Sequence, residues 1–213
     1  MASAILTILN KLEHTYGRTM LARLGKDHTP FQLLIATALS ARAKDEMTEV
    51  VARELFKVYP DAESIAKAPI PKLEKLVKRT GFYKIKARRI RDIARFVIKE
   101  YGNKVPDSLE KLTAIPGVGR KTANCVLAYA YGHPAIAVDV HVHRISNRLG
   151  IVKTKQPEET EFALMKIVPK RKWSLVNDVL VHHGKTICLP TVPKCSECTV
   201  FKYCKRQNVP KWK

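Results

Sequence analysis

Carboxylates are scarce in this 213-residue chain: 19 Asp and Glu stand against 39 Lys and Arg, a formal net charge of +20 with a pI near 9.9. A chain so short of acid favours a polyanionic partner, and nucleic acid is the usual one. Long hydrophobic runs are missing too. No stretch approaches the roughly 20 apolar residues of a membrane span, which excludes insertion. The basic charge is spread along the chain instead of gathered on one amphipathic helix, which argues against a lipid surface. No segment keeps a two-residue apolar alternation, so strands are not expected. Internal repeats and low-complexity tracts are also absent. The start, Met1 to Gly17, mixes Asn10, Lys11, Glu13 and His14 into its apolar residues and has no signal-peptide core. A cytoplasmic, nucleoid-associated chain of prokaryotic type with no targeting segment is therefore expected.

What the sequence does contain is helix. Apolar residues make up 46%, enough for a real core in one large domain or two small ones. They recur at three- and four-residue intervals, which predicts an all-α chain with helices near 2–16, 30–40, 45–58, 70–79, 84–101, 108–114, 120–131, 140–149, 157–167 and 173–183. Pro60, Pro71, Pro106, Pro116, Pro134, Pro157 and Pro169 fall between these helices or in their first turns, where proline is tolerated. A domain division is expected around Gly132–Pro134, where a helix ends and the apolar run Ala135 to Val138 begins.

Four of the five cysteines, Cys188, Cys195, Cys198 and Cys204, are spaced C-x6-C-x2-C-x5-C within 17 residues. The inner pair puts two sulfurs on one tight turn, and the longer intervals let the outer pair complete a tetrahedral set around a metal centre. A disulfide framework is the alternative, which the absence of a secretory start disfavours. Spacing alone leaves zinc and an iron–sulfur cluster open. Cys125 stands apart in a helical pattern and is expected to pack.

Basic residues concentrate between Lys72 and Arg95, ten against Glu74 and Asp92. Helical spacing there gathers Ile85, Ile90, Ile93 and Val97 on one face and leaves most of the basic residues to solvent, either as a merely hydrated surface or as a phosphate contact. The segment Leu112 to Asn124 is more specific. A short helix ends at Ile115, Pro116-Gly117-Val118-Gly119 makes a tight turn, and Arg120 opens a second helix. Two glycines let the backbone approach a ligand, and the turn amides face the same anion as the new helix's positive end. A helix cap and an ordinary turn is the plainer alternative, and the nucleotide-binding G-x4-G-K-[ST] frame is not met.

Three segments in order, Ile115-Pro-Gly-Val-Gly-Arg-Lys-Thr-Ala-Asn-Cys-Val-Leu127, Ala137-Val-Asp-Val-His-Val-His-Arg-Ile-Ser-Asn-Arg148 and the cysteine tail, together with Leu39-Ser-Ala-Arg-Ala-Lys-Asp45, resemble the endonuclease III family of helix-hairpin-helix DNA glycosylases over nearly the whole chain. The resemblance implies a two-domain fold. A six-helix domain, residues 22–134, would contain the hairpin. A discontinuous domain, residues 1–21 plus 135–213, would carry a [4Fe–4S] cluster in the loop 188–204, with the active site in the cleft between the two. It implies double-stranded DNA with damaged bases or abasic sites as the partner of a monomer, with no membrane.

The implied activity is that of a DNA glycosylase and DNA-(apurinic or apyrimidinic site) lyase for oxidised or damaged pyrimidines. Such an enzyme needs an amine nucleophile: attack at the sugar C1′ expels the base and leaves a Schiff base, and β-elimination follows. The family pattern puts Lys121 in that role and makes Asp139 the essential acid, where a carboxylate offsets cationic charge at C1′ and helps move protons. N-capping of the helix near His141 is the compatible structural role of Asp139. Because the target base lies inside the duplex, it must be flipped out and the gap filled. Family loops that do this correspond to Ser40–Asp45 and Gly81–Tyr83, with Phe82 as the wedge and Arg42 facing the opposite strand.

Arg42 stands where many bacterial members carry glutamine, and Thr113 where some carry glutamate. The remaining DNA contacts are expected from Gly117, Val118, Gly119, Arg120, Lys194 and His141, the last with packing as its alternative. Two other classes stay open: a monofunctional mismatch glycosylase acting on thymine or uracil opposite guanine, and a non-catalytic helix-hairpin-helix binding module.

Overall fold

The computed structural model describes residues 2–213, with side chains from residue 4 onward, and the described residues form helices and connecting loops with no strand. The chain divides into two compact units, residues 20–133 and residues 1–19 with 134–213. No helix among the described residues is long and apolar enough to cross a membrane.

The continuous unit holds α2 (Met20–Asp27), α3 (Pro30–Ser40), α4 (Asp45–Val58), α5 (Ala62–Lys67), α6 (Ile70–Val77), α7 (Tyr83–Tyr101), α8 (Leu109–Ala114) and α9 (Arg120–Ala130). Eight helices thus occupy the stretch in which periodicity predicts six. The two additions are short: α2 runs for only eight residues, and α5, at six, is less than two turns, too brief for a 3.6-residue repeat to register. At the centre, α3 is apolar nearly all round, with Phe31 and Leu33 to Leu39 buried, as a core helix must be. Its start is set by sequence: Pro30 is the first helical residue, and Thr29 and Gln32 exchange side-chain-to-backbone bonds at 3.2 and 3.1 Å in a capping box. It packs against α2, α4, α7 and α9.

The second unit pairs α1 (Ala2–Thr15) with α10 (Val140–Leu149), α11 (Pro157–Ile167) and α12 (Trp173–Thr186). Ile5, Ile8, Leu9 and Leu12 of α1 share one core with Val142, Ile145, Leu164, Val176 and Leu180, and Cys188, Cys198 and Cys204 pack against it. Asp178, 1% exposed, accepts bonds from the Thr19 amide and hydroxyl at 3.2 and 2.6 Å and from Arg18 at 3.2 Å. This buried carboxylate, paired and hydrogen-bonded as burial requires, fixes the segment after α1.

Candidate active site and cysteine loop

The hairpin is built by α8, the five-residue turn 115–119 and α9. Gly117 sits at φ +80°, which its lack of a Cβ permits. Val118 is buried and donates its amide to Ile115 at 3.0 Å. Gly119, the N-cap of α9, has an ordinary φ of −86° and offers no side-chain cap. A Cβ there would meet nothing within 4 Å. Neither conformation nor packing within the protein demands this glycine, so the space before the helix's first amides stays open to an anion. Arg120 and Lys121 occupy the first turn and are half-buried. Thr113 turns its hydroxyl back to Leu109 and Glu110 of its own helix at 2.9 and 3.0 Å. Cys125 is fully buried in α9, a packing residue.

Asp139 ends the buried run Ala135 to Val138, which Asn177 holds by donating to the Ala137 carbonyl at 2.7 Å. Its Oδ1 accepts from the amides of His141 and Val142 at 2.8 and 2.9 Å, making it the N-cap of α10. Both bonds fall on Oδ1, so Oδ2 takes no part in the cap. His141 is half-buried: its Nδ1 lies 3.2 Å from Arg144 Nη2, and a Cβ on Gly184 would come within 2.5 Å of that nitrogen. Burial holds its pKa below the ordinary histidine value, with Arg144 and Lys185 adding to the effect against the pull of Asp139.

Two corners of the continuous unit carry strain. Arg42, after α3, and Phe82, before α7, both adopt left-handed conformations at φ +54° and +49°, uncommon for residues with a Cβ. The Arg42 guanidinium lies 5.8 Å from the centre of the Phe82 ring, within cation–π range. Phe82 is 59% exposed. The first turn of α7 reverses the face that periodicity predicts: Ile85 is 60% exposed and Lys86 only 4%. Lys86 donates from Nζ to the Thr80 carbonyl at 2.7 Å, and burial, reinforced by Arg89, lowers its pKa to about 8. Arg89 was also hidden in the basic run. Its side chain lies about where a Cβ on Gly117 would be, within 3.1 Å, so it flanks the hairpin turn. Neither residue is distinguishable in sequence from its basic neighbours.

The four cysteines line a single cavity, walled also by Arg148, Leu149, His183, Phe201 and Arg206. Four sulfurs around one volume suit a thiolate-bound metal centre. Burial pushes the Cys198 thiol up to about 11 and raises Cys195 and Cys204 as well. A bound metal would supply the positive charge that deprotonates such thiols. Arg148 Nη1 lies 3.5 Å from the Cys188 sulfur, the Arg206 amide donates to Cys204 at 3.3 Å, and His183 Nε2 is 3.6 Å from Cys198. These are partners of the kind that orient and tune metal-bound thiolates. Around the loop, Lys194 pairs with Glu197 at 3.8 Å, Arg206 stacks over Phe201 at 4.6 Å, and the Lys205 stem packs at Gly150. Lys202 is left exposed.

The family model described as HhH-GPD superfamily base excision DNA repair protein matches residues 35–170. Endonuclease III of Thermotoga maritima is 48% identical over 191 residues, covering 88% of this chain and 90% of that protein. Among solved structures, a non-covalent endonuclease III–DNA complex superimposes with a TM-score of 0.87 at 34% identity, covering 97% of this chain and 96% of that one. A trapped endonuclease III–DNA covalent intermediate does so at 0.84, with the same identity and coverage. The chain belongs to the endonuclease III family of the HhH-GPD superfamily of base excision DNA repair proteins.

Proposed function

We propose that this chain is a bifunctional DNA glycosylase and AP lyase that removes oxidised or damaged pyrimidines from duplex DNA and cuts the resulting abasic strand through a Schiff base on Lys121. The observation that carries the reading is the start of α9. There a lysine stands in the first turn of a helix whose N-cap has no side chain and open space in front of it. A phosphate held by the backbone amides at the start of α9 brings the adjoining deoxyribose to that lysine.

The neutral Lys121 amine attacks C1′, the C1′–N bond breaks, and the base leaves with its electron pair and takes up a proton. The bound nitrogen then loses one proton, and cleavage of the C1′–O4′ bond, with O4′ taking up a proton, opens the ring and leaves the iminium, whose nitrogen keeps its other hydrogen. Removal of a C2′ proton then expels the 3′ phosphate by breaking the C3′–O bond. Asp139 is assigned the offsetting of cationic charge at C1′ and the movement of protons through Oδ2, the oxygen outside the cap. Phe82 is assigned to the stack left by the flipped base and Arg42 to the opposite strand.

Cys188, Cys195, Cys198 and Cys204 are the residues that would hold a [4Fe–4S] cluster. When bound it supplies four iron–thiolate bonds that pin the loop carrying Lys194 and Lys202 beside DNA. The protein is assigned to damaged or abasic duplex as a monomer, in the cytoplasm with chromosomal DNA.

Borohydride reduction in the presence of an oxidised-pyrimidine duplex tests the central claim. Wild type is expected to yield a covalent adduct, and Lys121→Gln to yield none and to lose base release and strand cleavage while still binding the duplex. Undiminished adduct in Lys121→Gln would overturn the assignment.

A further inference from the structure

The first turn of α7 places an isoleucine outside and a lysine inside, the reverse of what hydrophobic burial favours. Among the described residues Lys86 meets no carboxylate, and its Nζ is directed at a backbone carbonyl, that of Thr80, at 2.7 Å. Its own amide donates to the Phe82 carbonyl at 3.0 Å. Thr80, itself buried, spends its hydroxyl on Val77 at 2.8 Å. Between these anchors lie Gly81 at φ +69° and Phe82 at φ +49°. Phe82, the N-cap of α7, and Ile85, in its first turn, are both more than half exposed.

We infer that Phe82 and Ile85 together form the apolar wedge, and that Lys86 is a positioning residue which fixes the corner presenting it, side chain on Thr80 and main chain on Phe82. A left-handed phenylalanine persists only when its surroundings over-determine it. The ammonium, at the C-terminal end of the helical stretch 70–80, satisfies a carbonyl that the helix leaves without a partner. The inference rests on the glycosylase reading, in which an apolar side chain must enter the base stack.

The test is single-turnover release of one oxidised pyrimidine from two duplexes, one fully paired and one with the lesion in a mismatched bubble where the stack is already open. Phe82→Ala checks the underlying reading: without a larger loss on the paired duplex, no wedge operates. Given that loss, Ile85→Ser and Lys86→Met are each expected to slow the paired duplex about tenfold more than the bubble, roughly 1.4 kcal/mol and within the few kcal/mol that unstacking costs. Hydrogen exchange at Gly81–Tyr83 is expected to quicken in Lys86→Met. Equal losses on both duplexes, or none on either, would show Lys86 to be an ordinary structural residue. Should Lys86→Met fail to fold, Lys86→Gln, too short to reach Thr80, decides by the same ratio.

Discussion

Only one of the two Asp139 oxygens takes part in the α10 cap, so the cap and the proposed proton chemistry are separable. Oδ1 caps α10 through two amides, a contribution Asn matches and Ala does not. Oδ2 lies outside the cap, where only a carboxylate can balance positive charge or move a proton. Asp139→Asn should therefore abolish most base release with a melting temperature near that of wild type. Asp139→Ala should lose activity and also about 1 kcal/mol of stability, a fall of roughly 2–4 °C for a chain this long. Activity and melting curves of the two variants side by side decide it: an active Asp139→Asn would leave the residue a cap alone. Lys121 and Asp139 were legible as candidates because each stands in a short stretch with few alternatives, a two-glycine turn and the polar end of an apolar run. Lys86 was not. One lysine among ten basic residues is singled out only by the carbonyl it meets.

At the scale of elements, periodicity found the long helices because a buried stripe must repeat every 3.6 residues. It failed where a helix has no room to repeat, at α5, and where something other than core burial sets the rotation, at the start of α7. Spacing gathered the four cysteines but left the metal open; the cavity they share is a property of the fold, since its walls come from α10, α12 and the loop. The loop itself has little regular structure, only the brief 3-10 turns Cys195–Glu197 and Phe201–Tyr203, and so depends on what the sulfurs hold. The purified protein is expected to be brown and to contain about four irons, as a thiolate-bound cubane does. Cys198→Ser should lose iron and free residues 188–204 to protease, whereas Cys125→Ala should change neither. One zinc per colourless chain would refute the cluster.

Over the whole molecule, charge is the property that sequence reveals most completely and structure redistributes least. Several of the few acidic side chains are spent locally: Glu49 on Arg23 and Arg53, Glu54 on Arg79, Glu13 on Lys172, Asp178 on Arg18. These pairs sit at the surface or, for Asp178, latch a segment. They neutralise as many bases as acids and leave the excess of +20 available to phosphates. Such an excess acts through released counterions and does not read sequence. Damaged and undamaged duplexes should therefore share one steep salt dependence, a log–log slope of about −4 to −5 if roughly five phosphates are neutralised. Recognition of the lesion should appear as an offset between parallel lines, because flipping a base adds contacts to the base without adding phosphates. Titrations of both duplexes from low to physiological salt measure slope and offset together. A shallow slope, near −1, would mean that the charge is mostly hydrated surface, and lines that diverge with salt would mean that lesion recognition itself draws on additional phosphate contacts.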